Sequence, residues 1–422
     1  MKIIELSKEQ FNEFSKNHRY RNIYQTSNYG DLMNKHGFNS IYIGLMDNDK
    51  LIAATLILQS KNILGIKYGY APRGFLLDFN NYPLLKQFTI LLKRYFKNKK
   101  FSHIKIDTPI KLQEHNKQGD IIEGKDNNQV VEELKILEYE KLKQNMYFEA
   151  LKPRFNAIVP LNGPSYNIYK QFNSETKNKI RNSVKKGIEV IQGTRDDIPT
   201  FYQLIKNKHS RKIEYYIDFF DSFQSNNKFE IYFARINSER YLKNYKGIYD
   251  EEYIKNQEIN AKLQKNMGSN VNNIINKKLL SDKDMDLLTK QIIRATNIMK
   301  KEQKNPIIAT IAVIKNDREA FMLIDGYDKK YKDFYGTHML KWAIINKCSK
   351  EGYLTVNLNG ITGDFDKKNK YYGLYKHKIG FNADVVEYIG EFDLVINPSL
   401  YHIYVNSLSL ENKLKSIQKK HN

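Results

Sequence analysis

Two stretches of the chain repeat one order of apolar and polar positions. In the first, Ser40-Ile-Tyr-Ile-Gly-Leu-Met46 alternates as a strand does, Asp47-Asn-Asp-Lys50 is a turn signal, and Leu51 to Leu58 is a largely apolar run. Together they predict a β-hairpin. A third strand is expected over Ile66 to Tyr70, a helix over Leu84 to Phe96, and a strand over Ser102 to Asp107, stopped by Pro109. In the second stretch, Pro306 to Ile314, the turn Lys315-Asn-Asp317 and Glu319 to Ile324 predict another hairpin. Thr337 to Ser349 then reads as a helix and Leu354 to Leu358 as a strand ending at Asn359-Gly360. Hairpin, helix and strand thus occur twice, which predicts two similar α/β units, each a mixed sheet with helices against it.

A different segment separates the copies. From Ser238 to Lys304 there is no proline and only two glycines, Gly247 and Gly268. Glu252 to Met267 reads as one helix. Ser281-Asp-Lys-Asp284 reads as the capped start of another, with Leu287, Leu288, Ile292, Ile293 and Ile298 as its apolar stripe. Joined near 268–280, the two form an antiparallel helical hairpin, either a plain surface insertion or a basic arm that touches a partner.

Composition narrows the class. The 422 residues carry 69 Lys and Arg against 47 Asp and Glu, a formal charge of +22, with 30 Tyr and 22 Phe. Such an excess favours a polyanionic partner, be it nucleic acid, a membrane surface or a phosphorylated ligand, although a lysine-rich proteome contributes to it. The lone cysteine, Cys348, excludes a disulfide framework and a cysteine zinc cluster, and its helical context points to a structural thiol. The nine histidines form no HExxH pattern, so neither a metal nor a cofactor is expected. No apolar run approaches the ~18 residues that span a bilayer, and the N-terminus lacks a signal-peptide pattern, so a cytoplasmic protein is expected.

Four stretches carry a resemblance. They are Tyr70-Ala-Pro-Arg-Gly-Phe-Leu-Leu-Asp78, Asn178-Lys-Ile-Arg-Asn-Ser-Val-Lys-Lys-Gly-Ile188, Ser210-Arg-Lys-Ile-Glu-Tyr-Tyr216, and Tyr372-Gly-Leu-Tyr-Lys-His-Lys-Ile-Gly-Phe381, which runs on into Glu387-Tyr-Ile-Gly-Glu-Phe-Asp393. In this order and spacing the chain resembles, over nearly its whole length, the Fem family of FemA, FemB and FemX type. The resemblance implies an α/β (α+β) fold of two acetyltransferase-like (GNAT) domains with mixed sheets and an inserted antiparallel coiled-coil arm. The expected division is 1–153 for the first domain, 154–237 with 305–400 for the second, 238–304 for the arm, and 401–422 for a C-terminal helix or tail. The implied activity is transfer of an amino acid (Gly, Ser or Ala) from aminoacyl-tRNA to the stem peptide or growing bridge of lipid II. Implied partners are aminoacyl-tRNA, lipid II or its nucleotide-linked precursor UDP-MurNAc-pentapeptide, the inner membrane face in peripheral contact, and a second copy (homo-oligomer) or related Fem enzymes.

Residue roles follow from the same resemblance. Arg211 matches the family position that contacts the acceptor's phosphate, and Tyr215 and Tyr216 share its motif. The family's phosphate-binding lysine falls on Met33 here, and Lys35 lies two residues on as a substitute. Lys378 matches the lysine of the family's Phe-Lys pair, where it neutralises the tRNA 3′ end or the oxyanion formed on the ester. His377 replaces the Phe, and either stacks on the terminal adenine or accepts a proton. Tyr372 belongs to that motif, and Asn357 and Asn359 stand near a strand end of the kind that lines the cleft in this fold.

Other candidates come from the residues themselves. Lys177, Lys179, Arg181, Lys185 and Lys186 form a basic run, with 177, 181 and 185 on one helical face. That face suits tRNA or phosphate; a solvated helix surface is the alternative. Arg73 and Asp78 are expected to pair with each other. Asp107 ends a strand, and Asp333, Asp364 and Asp366 sit in loop-like contexts without an identifiable partner. Three other readings of function stay open: a specialised relative that inserts serine for immunity to a bridge-cutting endopeptidase, an acyl-CoA-dependent N-acyltransferase, and a non-enzymatic RNA- or membrane-binding protein. The second normally needs a Gly-rich pyrophosphate loop, which is absent ahead of Leu84 and Thr337.

Overall fold

In this computed structural model each of two mixed sheets is organised round one parallel strand pair joined by a helix. Residues 1–143, 146, 152–208, 211–224, 228–265, 271–300, 305–316 and 318–418 are described. Ser210, the connection at Gly268 and the turn residue Asp317 lie outside them.

The first sheet has seven strands, in the order Lys2–Glu5, Asn39–Asp47, Lys50–Lys61, Lys67–Ala71, Phe101–Ile106, Phe392–Val395 and Tyr139–Lys141. The second has nine: Ile188–Gln192, Phe229–Ile236, Ile307–Lys315, Glu319–Tyr327, Thr355–Gly360, Phe155–Pro160, Asp384–Tyr388, Lys111–His115 and Ile121–Asp126. The fold class read from the sequence is the one observed, but the repeat has a different frame. A crossover helix must return its chain parallel to the strand that feeds it. Tyr82–Asn98 connects Lys67–Ala71 to Phe101–Ile106, and Gly336–Lys350 connects Glu319–Tyr327 to Thr355–Gly360. The two copies therefore align with Lys67–Ala71 on Glu319–Tyr327, and the hairpin of 39–61 matches strands 229–236 and 307–315. In the first copy that hairpin closes through Asn48 and Asp49, both at positive φ, as a tight two-residue turn requires. In the second the helical arm stands in place of those two residues.

The arm consists of helices Ser238–Lys265 and Val271–Met299, the first about 42 Å long at 1.5 Å per residue. Their contacts run in opposite order: Tyr241 reaches Gln291 at 2.5 Å, Glu252 accepts from Ser281 at 2.8 Å, and Asn256 bonds Ser281 at 3.0 Å and is bonded by Lys278 at 3.1 Å. The pair is thus antiparallel. Ser281 does not cap a helix start. No proline or glycine interrupts 271–281, so the helix runs through, and the Ser281 hydroxyl is buried against the partner helix instead. Arg73 and Asp78 do not pair either. The Arg73 backbone N–H donates to Asp107 Oδ1 at 2.6 Å and its guanidinium to the Asp107 carbonyl, whereas Asp78 takes Arg19 at 2.6 Å.

The two halves exchange strands. Residues 111–126 leave the first half to form the edge of the second sheet, and Phe392–Val395 returns to pair with Phe101–Ile106. A shared core forms between the sheets, where Tyr29, Leu32 and Met33 meet Phe201, Tyr215, Tyr216, Phe219 and Phe223. Cys348 is buried in the core of the second sheet, and burial pushes its thiol up to about 12, as befits a packing residue. Where the exchanged strands meet, Glu387 accepts from Arg154 at 2.7 Å and contacts His115 Nε2 at 2.7 Å, all three residues being buried. Glu387→Ala leaves the Arg154 charge buried and unpaired, so it is expected to destabilise the protein by about 3–5 kcal/mol and to lower its melting midpoint in a thermal scan.

Candidate active site

The parallel pair of the second sheet stays together for three positions only, Glu319 with Thr355, Ala320 with Val356 and Phe321 with Asn357. Beyond them Met322–Asp325 and Leu358–Gly360 diverge. In the first sheet the equivalent strands remain paired through Ala71 and Ile106. Within the diverging stretch Asn359 holds a left-handed φ of 70°, where the pairing of this strand with Phe155–Pro160 slips. Asn tolerates that conformation because its short amide bonds locally. The Asn359 N–H donates to Asn357 Oδ1 at 2.9 Å, and its Nδ2 donates to the Leu323 carbonyl across the gap at 2.8 Å. A cleft of about 420 Å³ opens here, floored by the separated strands and walled by Tyr24, Tyr29, Tyr215 and Tyr216.

Among the described residues four cations line the cleft, Lys152, Lys208, Arg211 and Lys378, against one carboxylate, Asp325. Lys378 lies one helical turn beyond Leu374 on helix Tyr372–Ile379, and both side chains face the cleft. Its Nζ donates to the Gly360 carbonyl at 2.7 Å. Burial, with Lys341 and Lys208 nearby, outweighs the pull of Asp325 and brings the Lys378 ammonium down to about 7. Lys152 is likewise lowered to about 7 by burial; its Nζ sits 3.4 Å from the centre of the Tyr24 ring. The Arg211 guanidinium stacks over Tyr215 at 4.0 Å and has no carboxylate partner among the described residues. The planar edge left open suits a phosphate or carboxylate. The Tyr24 hydroxyl is buried with no hydrogen-bond partner among the described residues. Asp325 accepts from Lys208 at 2.9 Å and from the fully buried Lys341. Burial would raise this carboxyl, but the two lysines hold it well below its ordinary value.

The cleft thus gathers Lys378, Arg211, Tyr215, Tyr216 and Asn359. Asn357 lies behind it, bridging Asn359 and Glu319. Tyr372 packs beside Tyr375 at the far end of the Lys378 helix. His377 is not a lining residue: its Nδ1 is 3.0 Å from Nε2 of the buried His338, and burial holds both rings neutral at pH 7. Lys35 reaches out to Asp218 at 3.0 Å, and Met33 is in the shared core. On helix Ser174–Lys185 the basic run splits. Lys179 pairs with Glu175, Lys177 bonds the Lys170 carbonyl and Arg181 bonds Asn178, all near the surface, and Lys185 is exposed. Lys186 is buried and committed to Asp333, which Arg294 of the arm also holds.

Lys152, Lys208 and Asp325 were not singled out by the sequence. Asp325 had a signal, a carboxylate ending the apolar strand run Ala320 to Ile324. Lys152 and Lys208 had none, since they differ in no pattern from the chain's many other lysines. Among the described residues no group of three or more His, Cys, Asp or Glu converges to hold a metal.

The FemAB family profile matches residues 6–406. Aminoacyltransferase FemA of Staphylococcus epidermidis is 27% identical over 419 residues, covering 96% of this chain and 98% of that protein. Lipid II:glycine glycyltransferase of the same species is 22% identical over 413 residues, covering 96% and 95%. The crystal structure of FemX superposes with a TM-score of 0.74 at 18% identity, over 96% of this chain and 99% of that one, which is a likeness of fold. With the profile spanning nearly all of the sequence, from the first helix to the last, the chain belongs to the FemAB family.

Proposed function

We propose that this protein is a tRNA-dependent aminoacyltransferase, joining an amino acid from aminoacyl-tRNA to an amine on the stem peptide or growing bridge of lipid II. The observation that carries the reading is a lysine of lowered proton affinity, Lys378, facing a cation-lined cleft where two parallel strands part. Family membership supports it, as do the names of the relatives, an aminoacyltransferase and a lipid II glycyltransferase. The charge of +22 suits a polyanionic donor and an anionic membrane surface. No helix among the described residues is long and apolar enough to cross a membrane.

In this reading Arg211 holds phosphate of the acceptor. Neutral Lys378 takes a proton from the acceptor ammonium, and the freed amine attacks the ester carbonyl. The amide bond forms as the ester C–O bond breaks, and the departing ribose oxygen takes the second proton, which the attacking nitrogen loses. Positioning does much of the rest, because an aminoacyl ester is already activated.

Arg211→Ala is expected to raise KM for the acceptor about tenfold or more with a smaller effect on kcat, measured with charged tRNA and a soluble lipid II analogue. An unchanged KM removes Arg211 from the site. The kcat/KM of the wild type should rise with pH through about 7, as Lys378 loses its proton. In Lys378→Met the rise should vanish and the rate fall about 100-fold or more. A wild-type profile that falls through this window contradicts the proton-acceptor role.

The same lysine costs stability. Between the folded value of about 7 and the unfolded value of about 10.4, the unfolded chain binds one proton more than the folded one at this site, so stability rises with pH over that window. Below pH 7 the full cost of burying the ammonium is present. Lys378→Met is therefore expected to melt higher than the wild type at pH 7, with the gain shrinking as the pH approaches 10.

A further inference from the structure

Among the described residues, Asp325 is the single carboxylate lining a cleft that also carries Lys152, Lys208, Arg211 and Lys378. A lone negative group in such surroundings has two ordinary uses, to pair with a structural cation or to receive a positive group of a ligand. Here the two uses are divided between two lysines. Lys341, on the crossover helix Gly336–Lys350, is fully buried behind Asp325 and pairs with no other carboxylate among the described residues. It fixes the carboxylate in place. Lys208 approaches from the cleft side at 2.9 Å, with its side chain 45% exposed. An exposed lysine pair of this kind contributes little and exchanges readily. Replacing it with another ammonium leaves the charge count at Asp325 unchanged and releases Lys208 to water.

The position is also apt. Asp325 is on one of the two strands that separate, and Gly360, whose carbonyl holds Lys378, is on the other. A group bound at Asp325 thus lies in the same opening as the lysine that faces the reaction. Under the function proposed above, on which this rests, both substrates bring a primary ammonium: the attacking amine of the acceptor and the α-amino group of the aminoacyl ester. Among the described residues lining the cleft, no other side chain carries a negative charge.

We propose that Asp325 is the ammonium-binding residue of the cleft, taking a substrate primary ammonium in exchange for Lys208. The bond is an ion pair with N–H donors from the ligand and Asp325 Oδ as acceptor. Lys341 acts as a positioning residue beneath it.

The test compares ligands with and without the amine, by calorimetric titration into the intact protein. The acceptor arm uses UDP-MurNAc-pentapeptide with a free stem lysine, the same carrying one glycine on that lysine, and the N-acetylated form of each. The donor arm uses aminoacyl-tRNA and N-acetyl-aminoacyl-tRNA. In at least one arm the free amine is expected to bind about tenfold tighter than its acetylated partner, and that arm identifies the ammonium bound. Asp325→Asn should erase the difference while leaving the acetylated ligand's affinity in place. Lys208→Met should widen it, by removing the competing cation. If Asp325→Asn fails to fold because Lys341 is left unpaired, Asp325→Asn/Lys341→Met removes both partners and serves in its place. Equal binding of free and acetylated ligands in both arms overturns the proposal, as does a Lys208→Met effect of the same size on both forms. Absence of any binding by either substrate instead sinks the proposed function itself.

Discussion

The structure turns on three residue pairs. Strands Glu319–Tyr327 and Thr355–Gly360 hold together from Glu319 to Phe321 and then part. A parallel pair left open in mid-sheet strands backbone groups that the fold must satisfy in other ways. Asn359 does much of this with its left-handed backbone and an amide that spans the gap to Leu323. Lys378 Nζ takes the Gly360 carbonyl. The same residues that repair the sheet therefore line the cleft. In the first sheet the equivalent strands stay paired through Ala71 and Ile106, so the parting of the strands belongs to the second sheet.

Electrostatics give the opening its character. Among the described residues four cations face one carboxylate in the cleft. Burial, aided by neighbouring like charges, drives Lys378 and Lys152 toward losing their protons. The folded protein tolerates this because the shared core between the sheets, built from both halves, holds the walls in place. Sites that keep groups under such tension are less stable than apolar substitutes and more reactive. Asp325 moderates the field, and its fixed partner Lys341 keeps it from swinging away.

Much of the fold was legible because alternation and turn chemistry are local. The Asn48-Asp49 turn, the two hairpins and the helix at 336–350 follow from residue spacing alone. The frame of the repeat was not, since it depends on which strand is parallel to which, and strand runs look alike on either side of a hairpin. The exchange of residues 111–126 into the second sheet was hidden for the same reason. At Ser281 a capping pattern arose by coincidence within a helix that nothing interrupts. In the site, Arg211 and Lys378 stood out through their motifs and do face the cleft. Lys152, Lys208 and Asp325 are distant in sequence and meet only through tertiary packing. Conversely Lys186, one of a uniform basic run, is separated from its neighbours by burial against Asp333, which no local pattern reveals.

The central claim is that amine and ester meet where those two strands part. The most direct measurement is a crystal structure with a stable conjugate joining a lysine stem peptide, through an amide-like link, to the 3′ end of an RNA minihelix. The expected result places the link in the cleft between Asn359 and Lys378, with phosphate against Arg211. A conjugate whose link lies outside the cleft, with the strand ends unoccupied, would contradict it.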